Sequence, residues 1–165
     1  LSTPRQLGGD ALLAGLYINE LVVRLSARQD PHPQLYDAYA RALQRFGNDE
    51  PLAWTLRRFE RDMLAALGYG LQLQYAADTG EPISAGIEYC YLPEQGPVSL
   101  KQADGYRIQG ACLLALADDC LPDPTDLRAL RRLLRGLITH HLGGVELRSW
   151  HVLSGALAGR TTVRD

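Results

Sequence analysis

Leu52-Ala53-Trp54-Thr55-Leu56-Arg57-Arg58-Phe59-Glu60-Arg61-Asp62-Met63-Leu64-Ala65-Ala66-Leu67-Gly68 carries two stripes at helical spacing. Leu52, Leu56, Phe59, Met63 and Leu67 make an apolar face. Trp54, Arg57, Arg58 and Arg61, at i, i+3, i+4 and i+7, share the opposite one. Asn48, Asp49 and Pro51 supply a start and Gly68 a stop, so the spacing predicts a helix over this stretch. The pattern returns farther on. Asp123-Pro124 opens a helix with Asp126 in its first turn, and Leu142-Gly143-Gly144 closes it. Its apolar face is Leu127, Leu130, Leu134 and Leu137, and Arg128, Arg131, Arg132 and Arg135 repeat the charged spacing.

Like charges stacked on one helix face cost about 0.2–0.5 kcal/mol per pair. A chain that stacks them in both helices is expected to offer guanidinium groups to an anionic partner. Trp54 strengthens this for the first stripe, because arginine beside an aromatic suits anions and stacked bases. The plain alternative is a solvated face. Lys101 is the only lysine, so any exposed helix face in this chain is rich in arginine.

Outward from these helices, Asp10 as N-cap and Leu13, Leu16, Tyr17, Leu21 and Leu25 predict a helix over 10–28. Asp30-Pro31-His32-Pro33 breaks it. Pro33 opens another through Leu35, Tyr36, Tyr39, Leu43 and Phe46 that stops at Gly47. A short final helix is predicted from about Ser149 to Leu157. The texture between is different. Leu71, Leu73 and Tyr75 alternate with Gln72 and Gln74, and Ile87, Tyr89 and Tyr91 alternate with Glu88 and Cys90. Both are period-two strand signals, with turn formers at Thr79-Gly80, Pro82 and Gly96-Pro97. The fold class expected is mainly α: a single helical domain over 1–165 with a small antiparallel β insertion at about 69–108, followed by a helix from about Gln109 to Asp118.

Composition excludes several classes. With 165 residues and a net charge of −2, the chain is neither disordered nor globally basic. Charge is uneven: residues 1–68 are neutral, 69–122 carry net −5 and 123–165 carry net +3. An anion site must therefore be local. Cys90, Cys112 and Cys120 form no CxxC pair and are odd in number, which argues for a reducing compartment. The apolar runs are too short to span a bilayer, so no membrane is expected. The start at Leu1, with no signal-peptide pattern, suggests a piece of something longer.

Catalysis finds little support. Ser84, Ser99, Ser149 and Ser154 lack a nucleophile-elbow context, and Asp118-Asp119 point apart on a helix. His140 and His141 sit at a helix C-terminus, where the dipole favours a cation; that reading is preferred over metal ligation. Gly143-Gly144 lacks the lysine of a phosphate loop. No catalytic residue and no cofactor is predicted.

Several ordered segments resemble the bacterial RecO family of recombination mediators. They are Gly15-Leu16-Tyr17-Ile18-Asn19-Glu20-Leu21, Leu56-Arg57-Arg58-Phe59-Glu60, Leu67-Gly68-Tyr69-Gly70, Gly80-Glu81-Pro82, and Leu142-Gly143-Gly144 with Leu147-Arg148-Ser149. The resemblance spans essentially the whole chain and covers the helical C-terminal part of the family, without its N-terminal OB-fold. It implies a non-enzymatic, cytoplasmic, nucleoid-associated role in bacterial gap and break repair: binding single-stranded DNA and the acidic C-terminal tail of the single-strand binding protein SSB, joining RecR, annealing strands and helping RecA load. In the family the SSB tail docks on this helical part, and the first arginine of the Leu-Arg-Arg-Phe motif matches Arg57. The partner-binding set is thus Arg57, with Arg58, Arg61 and Trp54 added from the stripe; the nucleic-acid set is Arg128, Arg131, Arg132 and Arg135. The alternative is a helical interaction domain without direct DNA or SSB contact, its function lying elsewhere in a longer protein.

Many family members hold zinc in the insertion through CxxC…CxxC. Here the first pair falls on Ala76 and Thr79, and the second region reads Ser99-Leu100-Lys101-Gln102. Without thiolates the insertion is expected to be metal-free, a degenerate zinc ribbon held by packing of Tyr75, Ile87, Tyr89 and Tyr91.

Overall fold

The computed structural model describes residues 8–26, 32–99, 104–144 and 146–158. The helices are α1 (Gly9–Leu25), α2 (Pro33–Arg45), α3 (Leu52–Ala66), α4 (Gly110–Ala117), α5 (Pro124–His141) and α6 (Arg148–Ala158). The strands are β1 (Glu88–Leu92), β2 (Gly96–Ser99) and β3 (Tyr106–Gln109), in one antiparallel sheet of order β2-β1-β3. The fold is mainly helical with a small antiparallel sheet, as the change of periodicity predicts.

Helix α3 lies at the centre, packed against α2, α5 and α1. Its Trp54, Phe59, Met63 and Leu64 are fully buried. Helix α5 adds Leu130, Leu133, Leu134, Leu137 and Ile138 to the same core and carries the sheet through β3. The Asp123 carboxylate accepts the Asp126 amide at 2.9 Å, capping α5 at its predicted start. Asp10 is not the N-cap of α1: Gly8 holds that position and Asp10 lies in the first turn. Leu16, Tyr36 and Leu43 share the helical periodicity but are exposed.

The insertion differs from its expectation. Residues 71–75 form no strand; Tyr75 makes an isolated bridge to Pro82, closed by Ile83 N–H to Gln74 O at 2.8 Å. Leu73, Ala76 and Ile83 are buried beneath this loop. Tyr89 and Tyr91 do hold the insertion, being buried and accepting the Ser84 and Gln72 amides, both at 3.0 Å. Tyr75 and Ile87 do not; both are about half exposed, at 49% and 51%. Gly96-Pro97 opens a strand instead of making a turn, with the proline on an edge where no ladder donor is needed. At the position of the absent first cysteine pair, Ala76 is buried and Thr79 sits in a turn. Ser99 bonds the Asp78 carboxylate through N–H and Oγ. Residues 100–102 lie outside the described ones. Among the described residues no helix is long and apolar enough to cross a membrane.

Candidate functional site

The segment Tyr17-Ile18-Asn19-Glu20 ties α1 to three neighbours. The Tyr17 hydroxyl donates to Glu60 Oε1 on α3 at 2.6 Å, and Asn19 accepts from Tyr39 of α2 at 2.7 Å. The Glu20 carboxylate accepts the amides of Arg148 and Ser149 at 3.0 and 2.9 Å, capping α6 from across the chain. Burial works against that charge, but the Ser149 and Arg148 bonds outweigh it and hold the carboxyl below its usual range. Helices α1, α3, α5 and α6 are thereby placed around one groove of about 250 Å³.

The groove has an apolar wall and a cationic rim. Leu13 of α1, Leu52 and Leu56 of α3, Leu127 of α5 and Leu153 of α6 line the wall. Arg57 enters from α3, and Arg128, Arg131 and Arg135 enter from α5; Asp10 and Glu60 are the acids that line it. Arg135 lies over the Trp150 ring, 4.2 Å from its centroid. At the groove floor Arg57 and Glu60 pair through both edges, Nε to Oε2 at 2.7 Å and Nη2 to Oε1 at 2.6 Å, with side chains only 6% and 2% exposed. Burial, then the Glu60 charge, pushes the Tyr17 hydroxyl well above its ordinary range. Burial, then the neighbouring charges of Arg57 and Arg135, lowers Arg131. An anion in the groove would relieve that last repulsion.

The stripe on α3 is therefore not a solvated face. Trp54 is 1% exposed and belongs to the core. Arg58 turns away from the groove to Glu50 at 2.8 Å and Asp119 at 3.2 Å. Arg61 follows it to Asp119 at 2.6 Å, Asp62 at 2.7 Å and the Leu116 carbonyl at 2.6 Å. Burial alone would raise the Asp119 carboxyl, but the Arg61 hydrogen bond and charge, with Arg58 and Arg45, hold it below its ordinary range. These two arginines staple α3 to the α4–α5 connection, because α2 and that connection cover the face that periodicity left open. Arg57 alone of the α3 set reaches the groove.

The α5 stripe also divides. Arg131 and Arg135 lie beside the apolar face, not opposite it, and point into the groove; Arg128 is exposed at its mouth and bonds Thr125 at 3.2 Å. Arg132 is exposed and lines no part of it. Sequence reasoning kept the two stripes apart, whereas the fold brings Arg57, Arg131 and Arg135 together. It also missed Tyr17, Glu60 and Trp150. Glu60, three residues after Arg57, was legible as an ion-pair partner by the i, i+3 rule.

A family model described as the C-terminal region of recombination protein O matches residues 7–151. Relatives named DNA repair protein RecO include one from Xanthomonas euvesicatoria pv. vesicatoria, 46% identical over 158 residues. Others come from Xanthomonas oryzae pv. oryzae, 45% identical over 158 residues, and Stenotrophomonas maltophilia, 46% identical over 157. Each comparison covers 93% of this chain and 65% of the relative, so the chain spans about two-thirds of the length of the curated relatives it matches. Segments on which the sequence resemblance rests meet in space, Tyr17 with Glu60 and Glu20 with Arg148-Ser149. The chain belongs to the RecO family, through the C-terminal region of that protein.

Proposed function

We propose that this chain is the partner-docking part of a bacterial DNA repair mediator, and that its groove receives the acidic, hydrophobic-ended C-terminal tail of SSB. One observation carries the reading: Arg57, Arg128, Arg131 and Arg135 converge from two helices on a mostly leucine-lined groove of about 250 Å³. A tail with acidic residues and an apolar end needs just this pairing, guanidinium forks for carboxylates beside a wall for the side chain. The role is binding without catalysis. Joining RecR, annealing and RecA loading in the bacterial cytoplasm belong to the same proposal, with membership of the RecO family as their support. Arg58, Arg61 and Trp54 act by holding α3 in place, since their polar or aromatic groups are committed within the fold. Single-stranded DNA contact falls to the exposed members of the second stripe, Arg128 and Arg132, and is weak for this chain alone.

Titration with a fluorescent SSB-tail peptide tests the reading. Charge-assisted pairs are worth about 1.5–3 kcal/mol, so Arg131→Ala or Arg135→Ala should weaken binding about tenfold or more. Arg132→Ala should leave the affinity as it is. Unchanged affinity in both groove variants would remove this site.

A further inference from the structure

Away from the groove, the C-terminal end of α5 meets the β1–β2 turn. His140 and His141 are the last two residues of the helix, which Gly143 and Gly144 terminate at φ +67° and +85°. The Gly144 amide returns to the Thr139 carbonyl at 2.8 Å and the Gly143 amide to His140 at 3.2 Å, so the backbone under both histidines is fixed. Glu94 faces them from the turn, in a left-handed conformation at φ 66° that few non-glycine residues adopt. Its Oε1 lies 3.2 Å from His140 Nε2, and the Tyr69 ring stacks on His141 with centroids 3.9 Å apart. One ligand atom from each of Glu94, His140 and His141 falls within 4.8 Å of the others.

We propose that Glu94, His140 and His141 form a site for a borderline divalent transition metal, best matched by Zn²⁺. Two imidazoles and a carboxylate are a donor set such ions favour, and three protein ligands leave a position for water or a further group. Ligand atoms around tetrahedral zinc lie about 3.3 Å apart, from metal–nitrogen bonds of about 2.0–2.1 Å. Small rotations of these side chains close the gap, since Glu94 and His140 are 70% and 45% exposed. The helix C-terminus adds partial negative charge where the cation would sit. An adjoining cavity of about 170 Å³, walled in part by Tyr69, Glu94 and His141, gives room for the remaining coordination. Loading would clamp the β insertion to α5. This departs from the expectation for His140 and His141, which preferred the helix dipole to metal ligation; Glu94, distant in sequence and brought to them by the fold, supplies the third ligand.

Calorimetric titration of the untagged chain with Zn²⁺ alone, and Co²⁺ titration read by its visible absorption, test the proposal. The expected result is one ion per chain, with affinity lowered at least tenfold by Glu94→Gln, His140→Ala or His141→Ala, a loss no smaller than that for disturbing a ligand's supporting partner. The exposed Cys120 and the isolated His151–Glu146 pair are the competing sources, so Cys120→Ser and His151→Ala should change nothing. Zn²⁺ should also raise the Tm of the unaltered chain and not that of Glu94→Gln. No saturable binding by the unaltered chain would overturn the site, as would unchanged affinity in Glu94→Gln and His141→Ala, or loss of the ion in Cys120→Ser or His151→Ala.

Discussion

On α3, Arg58 and Arg61 meet Glu50, Asp62 and Asp119 within 2.6–3.2 Å; on α5, Arg131 and Arg135 share a leucine-lined groove with Arg57 and Trp150. The two stripes have identical spacing. Periodicity decides which side chains share a face, but the neighbouring elements decide whether that face meets water, an acid or a groove. Helix α3 is packed by α2 on one side and by α5 and α1 on the other, so its charges had to be neutralised within the fold. Helix α5 borders a gap between α1, α3 and α6, and its charges gather there. Arg57 belongs to both settings, paired with Glu60 at the groove floor.

The sharpest way to break this contrast is to remove one arginine from each side of the groove. Arg57→Ala takes both guanidinium bonds from the Glu60 carboxylate, which is 2% exposed and keeps the Tyr17 hydroxyl, and breaking a buried pair this way costs about 3–5 kcal/mol. Arg135→Ala, which gives up a half-buried contact with the Trp150 ring, should cost far less. Urea denaturation of the two variants measures the difference, and equal losses would erase the distinction. A binding defect in Arg57→Ala must therefore be read beside its stability, and Arg57→Ala with Glu60→Ala serves as the neutral control.

Next in size is a dependence on alkaline pH. The Tyr17 proton is held more tightly folded than unfolded, and burial likewise pushes Tyr91 up to about 12. Their contribution is complete below the unfolded pKa near 10 and is lost as pH rises through the folded values. Each group gives a slope of about 1.4 kcal/mol per pH unit in that window. Tyr17→Phe should lessen the slope measured by denaturation between pH 10 and 11. An unaltered slope would show that the groove floor does not hold Tyr17 neutral.

Asp119→Asn should cost about 0.5–1 kcal/mol, because its carboxylate is 47% exposed and solvent screens the staple it makes with Arg58 and Arg61. A loss of several kcal/mol would mean that this staple is a second buried pair. The smallest effect concerns DNA. With Arg128 and Arg132 as the exposed cations of the second stripe, about two phosphates are neutralised, and log affinity for single strands should fall with log salt at a slope of about −1.4. A slope steeper than about −3 would require Arg131 and Arg135 to face DNA after all.

Much of this was legible from residue order. The helices, their stops at Gly68 and Gly143-Gly144, and the buried leucines of α5 follow from spacing and capping. The Leu71–Tyr75 alternation misled because it is a loop whose Gln72 amide is satisfied by the Tyr91 hydroxyl instead of a ladder partner. Gly96-Pro97 misled in the opposite sense, since an edge strand tolerates the turn-forming pair. Arg57 was singled out by the helical stripe and by the family motif together, but its commitment to Glu60 and its meeting with Arg131 and Arg135 were not read. That meeting depends on how α3 and α5 cross, and no local pattern encodes a crossing.

The central claim is that arginines from both stripes read one acidic, hydrophobic-ended tail. A double-mutant cycle tests it most directly, titrating the SSB-tail peptide with a free or amidated C-terminus against the unaltered chain and Arg131→Ala with Arg135→Ala. The account predicts that amidation weakens binding about tenfold for the unaltered chain and little for the double variant. Equal losses in both would place the carboxylate elsewhere and contradict it.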